Sequence, residues 1–487
     1  MAALLLTSMV WSGHAQEKNE MDLSGEWAFQ TDVMDFRRGS LDVRYCHRLQ
    51  ESIVLPGITD DYKIGYKSPY RHLDRLTRVY EYMGPAWYQR EIEIPVAWKG
   101  KRIFLYFERT HWLSSVYVGK EEVSKIDYIS IPHNHELTQW LHPGKKELIT
   151  FCIDNRYQYD THKWDHAHSE FTQINWNGVL GEIKLVAVDP VYVDDMQVYP
   201  DIKNKSIKVK MTVRNCTEHT ASGKISFHVT GKDYRLQKEV PVTVTDSITY
   251  IEEEMFLGKD IHLWNEFHPN LYTLDCKLTS SVEGQSYAHE KSTTFGMREV
   301  EAGEDHIILN GEPIHLRGTV ENAVFPKTGY APVDDASWER VLRILKEYGM
   351  NHMRFHSWCP PAAAFRMADK LGVYLEVEMP MWGKDAQPDE KRWNFFRREL
   401  RGILKEYGNH PSFILYCNGN EITGDFSFIE ELTPTARWIT AVYTAVPQPA
   451  HVSNQTSSTL PIRLPKDTWP STKDVLIQTG TKTRNWE

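Results

Sequence analysis

The sequence predicts a multidomain β + α/β protein: a jelly roll or sandwich, a second, immunoglobulin-like β-sandwich, then an incomplete (β/α)8 TIM barrel. Three observations carry this. Residues 22–298 alternate apolar and polar side chains with a period of two, in short runs broken by turns. From about 299, strand-like runs alternate with helix-like runs. The 487 residues suffice for two to four domains at roughly 100–200 residues each.

The elements follow in order. MAALLLTSMVWSGHA (1–15) joins a short apolar run to a small-residue exit at Gly13 and Ala15. It is expected to be a secretory signal peptide, making the protein secreted or periplasmic; a buried N-terminal strand is the other reading. At roughly 20 residues per span the run is too short to cross a bilayer. Within 22–190, TRVYEYM, AWYQREIEI, KRIFLYFE, SSVYVGK (with a turn at Gly119), KELITFCIDN and GEIKLVAV read as antiparallel strands of a sandwich or jelly roll. Within 191–298, VYVDDMQVYPDI, SIKVKMTVRN, GKISFHVTG, EVPVTVTD and LYTLDCKLTSS repeat the pattern, at a strand density that fits an immunoglobulin-like sandwich.

Residues 299–437 then supply four strand–helix units. PIHLRGTV leads into ASWERVLRILKEYG, where Trp338, Val341, Leu342 and Leu345 share one helical face. NHMRFH precedes PAAAFRMADKLG, VYLEVE precedes EKRWNFFRRELRGILKEYG, and SFILYCN follows. A closed (β/α)8 barrel has eight such units in about 250 residues.

Composition narrows the class. Hydrophobic residues at 41% and charged residues at 25% are those of a soluble globular protein. The 16 Trp and 24 Tyr supply flat faces that pack cores and also stack on sugar rings. A net charge of -10 without a long basic run argues against nucleic acid as a partner. Cys46, Cys152, Cys216, Cys276, Cys359 and Cys417 are scattered without a CxxC pair, so isolated buried thiols are expected rather than a zinc site or a disulfide framework.

LSGEW (23–27), LPGITDD (55–61), AWYQREIEIP (86–95), IPHNHELTQWLHPGKKELI (131–149) and QINWNGVLGEI (173–183) are followed by LWNEFHPNLYTL (263–274) and FGMREVEAGEDHIILNGEPIHLRGTV (295–320). In their order and spacing these motifs resemble glycoside hydrolase family 2, the β-galactosidase, β-glucuronidase and β-mannosidase group. The resemblance implies a sugar-binding jelly roll, a sandwich and a catalytic barrel. It implies a glycosidase that releases terminal β-linked sugars from an oligo- or polysaccharide by a retaining two-carboxylate route, with no cofactor and no metal. The sugar stays open among galactose, glucuronic acid and mannose, and an oligomer stays possible. A non-catalytic carbohydrate-binding protein and an inactive gene fragment are the rival readings.

NHPSFILYCNGNE (409–421) is the sharpest motif and reads as the fourth strand, ending in Asn420-Glu421. Residues at the C-terminal ends of barrel strands face the active site. Glycosidic cleavage requires a carboxylic acid to protonate the departing oxygen, and partial burial beside a second carboxylate keeps such a proton in place. The resemblance gives this role to Glu421, and to Asn420 a hydrogen bond with the sugar 2-hydroxyl. Without it, Asn-Glu reads as a helix cap followed by a first-turn acid.

Arg354, His356 and Trp358 follow the second strand. Arg354 can orient a nucleophile carboxylate through a charge-assisted fork or form a structural ion pair. His356 and Trp358 are candidates for a sugar hydroxyl and a ring face. The family's usual Arg-x-x-His step is Arg-x-His here. Glu376 and Glu378 alternate on the third strand and point the same way. Glu378 is a candidate for sugar hydroxyls or a solvated surface acid, and Trp382 for a wall of the site. Glu321 and Asn322 end the first strand. Asp60 and Asp61 lie on a loop of the first domain that in relatives can reach the barrel.

The route also needs a second carboxylate about 5–5.5 Å from the acid. Only Asp425, Glu430, Glu431, Asp467, Asp474 and Glu487 follow Glu421, and none stands at a strand end with the family's spacing. None of them is given the role, so the nucleophile is expected to be missing from this chain, which puts the chain's own activity in question. Residues 438–487 are rich in Thr, Ser and Pro and lose the strand–helix period. This aberrant tail is expected to be out of frame, and the barrel C-terminally truncated.

Overall fold

The computed structural model describes residues 19–34, 49–161, 164–303, 306–383, 387–439, 443–445, 461–462 and 475–476, with side chains through Leu432. Met1–Ala15 and Cys46 lie outside the described residues.

Two antiparallel sheets occupy residues 20–188. One runs in the order Glu121–Ile126, Leu113–Val118, Lys146–Asp154, Pro85–Glu93, Gly25–Thr31, Glu51–Leu55. The other runs Glu20–Asp22, Gly178–Val188, Arg102–Thr110, His133–Glu136, with Gly57–Ile58 also paired to Gly178–Val188. Alternate residues of both sheets face one core that includes Trp27, Phe29, Tyr88, Phe107 and Phe151. Tyr88 and Phe151 stack at 4.8 Å. Gly178 has φ +148, and a Cβ there would lie 2.2 Å from the Gly57 carbonyl oxygen, so this strand pairing requires glycine.

A second pair of sheets follows. Val191–Asp201, Ser206–Asn215 and Ile248–Phe256 form one; Tyr234–Val244, Ala221–Gly231, Tyr272–Val282 and Gln285–Phe295 form the other. Ile207, Val209, Met211 and Val213 point inward. The outward-facing Lys208 pairs with Glu252 of the neighbouring strand at 3.0 Å.

Beyond these, Gly318–Glu321, His352–Phe355, Tyr374–Glu378, Phe413–Cys417 and Tyr443–Ala445 form a parallel sheet in sequence order. Helices Asp335–Glu347, Ala362–Leu371, Glu390–Tyr407 and Phe426–Ile439 connect the strands. Asp334 and Asp389 cap the first and third of these by accepting the amides of Ser337 and Arg392. Trp338, Leu342 and Leu345 are buried as their spacing requires.

Two boundaries differ from the sequence reading. The first parallel strand is only Gly318–Glu321, because Glu312–Ile314 joins a small antiparallel sheet with Val300–Ala302 and Ile307–Leu309. Between them Asn351 holds the bend, accepting the Arg317 amide and donating to the His315 carbonyl. The tail also continues the strand count once, at Tyr443–Ala445. A helix through Ile439 returns the chain to the open edge of Phe413–Cys417, whose unpaired backbone accepts a short extended run.

The parallel unit is keyed into both sandwiches. Trp112 and Ile129 of the first belong to its core. Arg398 of the third helix pairs with Asp127 at 2.6 Å, and Glu399 accepts the Ile129 amide at 2.8 Å. Arg298, at the end of the second sandwich, donates to the carbonyls of Pro411 and Phe413 at 3.0 and 2.9 Å. Among the described residues, Cys152, Cys276, Cys359 and Cys417 are buried free thiols and Cys216 is an exposed one. No helix among them is long and apolar enough to cross a membrane.

Candidate active site

The loops after the parallel strands converge at the C-terminal edge of the sheet. Arg354 stands at its centre. Its Nε donates to Glu378 Oε1 at 2.6 Å, its Nη2 reaches Asn420 Oδ1 at 3.1 Å, and Glu376 lies 3.7 Å away. Glu378 was expected near the mouth, in reach of sugar or solvent. It is instead fully buried, and its second oxygen accepts the Ser357 amide at 2.6 Å. Burial raises its pKa, opposed by the Arg354 charge. Burial pushes Glu376 up to about 7, with the Glu378 charge adding to it.

Glu376, Glu378 and Cys417 bring their ligand-type atoms within 4.8 Å of one another. The guanidinium of Arg354, paired to both carboxylates, supplies the positive charge in this cluster.

A second layer lies outward. Trp382 forms a parallel bridge with Asn420, and its indole N–H donates to Glu421 Oε2 at 3.0 Å. The ring of Trp382 stands 4.7 Å from His356 and 5.2 Å from His166. His166 Nδ1 meets the His356 carbonyl at 2.7 Å. Burial holds His166 and His356 down to about 4, and the nearby Arg354 charge acts the same way. Both imidazoles are therefore neutral near pH 7 and can each donate and accept a hydrogen bond.

Glu421 was expected to be partly buried; its side chain is exposed at the rim. Its backbone has φ +46, and Ala323 and Ser357 have φ +55 and +58. Three of the seven non-glycine residues with positive φ among those described thus fall in the loops of this one rim, where strained backbone commonly marks function.

Trp358 is corrected. It is 2% exposed, packs edge-on against Phe355, and donates its indole N–H to the Glu321 carbonyl. Its ring face belongs to the core. Glu321 turns back on its own loop, accepting the amides of Ala323 and Val324, with burial pushing it up to about 7. Asn322 beside it is half-buried. The structure thus brings together Arg354, His356, Glu378, Trp382, Asn420 and Glu421, and sets Glu321, Asn322 and Trp358 to one side. Asp60 is paired with Arg78 at 2.8 Å, and Asp61 lies within electrostatic range of Tyr330 in the loop after the first parallel strand.

The carboxylates that follow Glu421 have other partners. Asp425 accepts from Ser427, and Glu431 pairs with Arg397 at 2.7 Å. Glu430 is exposed on the fourth helix; Asp467, Asp474 and Glu487 lie outside the described residues.

Two site residues escaped the sequence reading: Trp164, 5.9 Å from Trp382, and His166. Both ride on the loop between strands Lys146–Asp154 and Gly178–Val188 of the first sandwich. Its composition, KWDHAHSE without any period, was the available signal.

Residues 191–298 match the family model for glycosyl hydrolases family 2. Over 360 residues the chain is 23% identical to a β-galactosidase of Thermoanaerobacter pseudethanolicus, covering 73% of this chain and 47% of that protein. Over 467 residues it is 21% identical to the β-glucuronidase of Sus scrofa, covering 88% and 67%. A glycosyl hydrolase family 2 member from Bacteroides cellulosilyticus shares the fold with a TM-score of 0.71 at 19% identity, over 88% of this chain and 56% of that one. Fold and site thus define a β-rich, multidomain chain of glycosyl hydrolase architecture. Its residues 191–298 carry the domain of glycosyl hydrolases family 2, and the relatives it resembles over most of its length are β-galactosidases and β-glucuronidases. The chain spans about half the length of the first curated relatives, 47% and 48% of two of them.

Proposed function

We propose that this chain carries the acid/base half of a retaining β-glycosidase that releases terminal β-linked sugars, β-galactosidase-like in type. In this reading residues 22–190 are the jelly roll, 191–298 the immunoglobulin-like sandwich and 299–437 the first half of the (β/α)8 barrel, in a protein exported by its N-terminal 15 residues. One observation carries it: Glu421 stands at the rim with one oxygen held by the Trp382 indole N–H, beside Asn420 and the Arg354–Glu378 pair. Glu421 protonates the leaving oxygen and then deprotonates water. Asn420, already oriented by Arg354, meets the sugar 2-hydroxyl, and neutral His356 and His166 exchange hydrogen bonds with further hydroxyls.

A panel of nitrophenyl β-glycosides tests this. In a chain completed by the nucleophile-bearing remainder of the barrel, Glu421→Gln is expected to lower kcat/KM roughly 10²–10⁴-fold for poor leaving groups and far less for activated ones, because an activated leaving group departs without the proton. A uniform loss across leaving groups would count against the acid role.

The exposure of Glu421 and the outside engagements of Asp425 and Glu431 favour one other reading, sugar binding without turnover. Under it the completed chain hydrolyses no member of the panel, yet Trp382 fluorescence responds to the free sugar.

A further inference from the structure

The segment YKIGYKSPYRHL (62–73) repeats an aromatic–cation dipeptide every four residues: Tyr62-Lys63, Tyr66-Lys67, Tyr70-Arg71. All six side chains are exposed, with Tyr66 and Tyr70 at 66% and 70%. Exposed large rings are seldom grouped on a surface that binds nothing. Lys63, Lys67 and Arg71 make no ion pair with any described residue. The cations just beyond them are engaged: Arg75 lies over the Phe171 ring at 4.7 Å, and Arg78 pairs with Asp60.

These engagements anchor the segment. Phe171 belongs to the same loop as Trp164 and His166 at the rim, and Tyr62 is pinned by its hydroxyl, which accepts the Val54 amide at 3.0 Å. Tyr66–Lys67 pairs with Tyr80–Glu81 as a short hairpin. The segment is therefore a held surface, tied through Arg75 to the loop that also carries Trp164 and His166.

We propose that Tyr62–Arg71 is a second carbohydrate site, which binds a polysaccharide chain bearing carboxylate or sulfate groups. It rests on the reading that this chain acts on carbohydrate. Tyrosine faces stack on sugar rings, and the neighbouring cation meets the acidic substituent. The aromatic–cation pair recurs at three places along the segment, which suits a polymer that presents repeated rings and charges. Lys63, Lys67 and Arg71 place three exposed cations in ten residues of a chain whose formal charge is -10, a local concentration of positive charge for a polyanion.

Affinity electrophoresis of the full chain in polygalacturonate tests this, with dextran, polyglutamate and oligothymidylate as comparison polymers. Tyr66→Ala/Tyr70→Ala and Lys67→Ser/Arg71→Ser are each expected to bind polygalacturonate about tenfold more weakly at unchanged Tm. The parent is expected to hold polygalacturonate above the other three polymers, less so as ionic strength rises. An unaffected tyrosine double variant would overturn the proposal. So would equal retention on dextran or polyglutamate, tighter retention on oligothymidylate, or a parent dimer in sedimentation that the tyrosine variant dissociates. Polygalacturonate binding by a completed chain that hydrolyses no glycoside sustains this site while removing the catalytic reading.

Discussion

Arg354 shows how one residue can serve structure and site together. It neutralises a buried glutamate and orients an amide on the next loop but one. Arg354→Met should leave Glu378 buried without its counter-charge and cost roughly 3–5 kcal/mol, measured as the shift in denaturant midpoint. Adding Glu378→Gln should recover most of that loss, since a neutral amide asks less of its surroundings; failure to recover would mean the fork itself holds the loops. At this scale the sequence was informative where a strand motif fixed the phase. The apolar run FILYC fixed the fourth strand, which ends at Cys417 rather than at Asn420-Glu421; those two follow in the loop, where Asn420 is held by its bridge to Trp382. Trp358 was misplaced because a residue three positions past a strand can turn either outward or into the packing beneath, and spacing does not distinguish these. Trp164 and His166 were missed because they approach from a domain about 190 residues away in the chain.

Helix Glu390–Tyr407 illustrates the element scale. Its apolar phase was legible, but the polar residue on its buried face, Glu399, was not distinguishable from a surface acid. Burial pushes Glu399 from 4.5 up to about 7. Below about pH 4.5 it is protonated in both folded and unfolded chains; between there and about 7 the unfolded chain releases its proton first, so stability falls as pH rises. Glu399→Gln lacks this dependence. The variant should therefore gain on the parent as pH rises through that window, read from unfolding midpoints at several pH values. A constant difference would show that the folded carboxyl titrates normally. The parallel strands were likewise legible from their alternation with helices. The short first strand was not, since the Asn351 contacts that bend His315–Arg317 come from another element.

For the whole molecule, the switch from period two to strand–helix units was readable, whereas strand order was not, nor were short strands of the first domain such as Gly25–Thr31, Glu51–Leu55 and His133–Glu136. Gly25–Thr31 pairs with both Glu51–Leu55 and Pro85–Glu93, a neighbourhood set by which faces bury together rather than by local pattern. The keyed interfaces predict that the sandwiches and the parallel unit unfold together. Arg298→Ala removes the donor to two buried carbonyls and should cost about 1–3 kcal/mol for each. It should also let protease cut within 299–437 before 191–298, where the parent gives no such interval; simultaneous cleavage in the variant would show that packing alone couples the units.

The same Arg298 contacts set a schedule. Its carbonyl partners arrive 113 and 115 residues later in translation. At 5–20 residues per second, a ribosome delivers them on the order of ten seconds after Arg298 itself. For that interval the second sandwich can be complete while its guanidinium still faces water. The fourth parallel strand then docks onto a surface already formed, so the sandwich serves the nascent chain as a template before it serves the finished protein as a support.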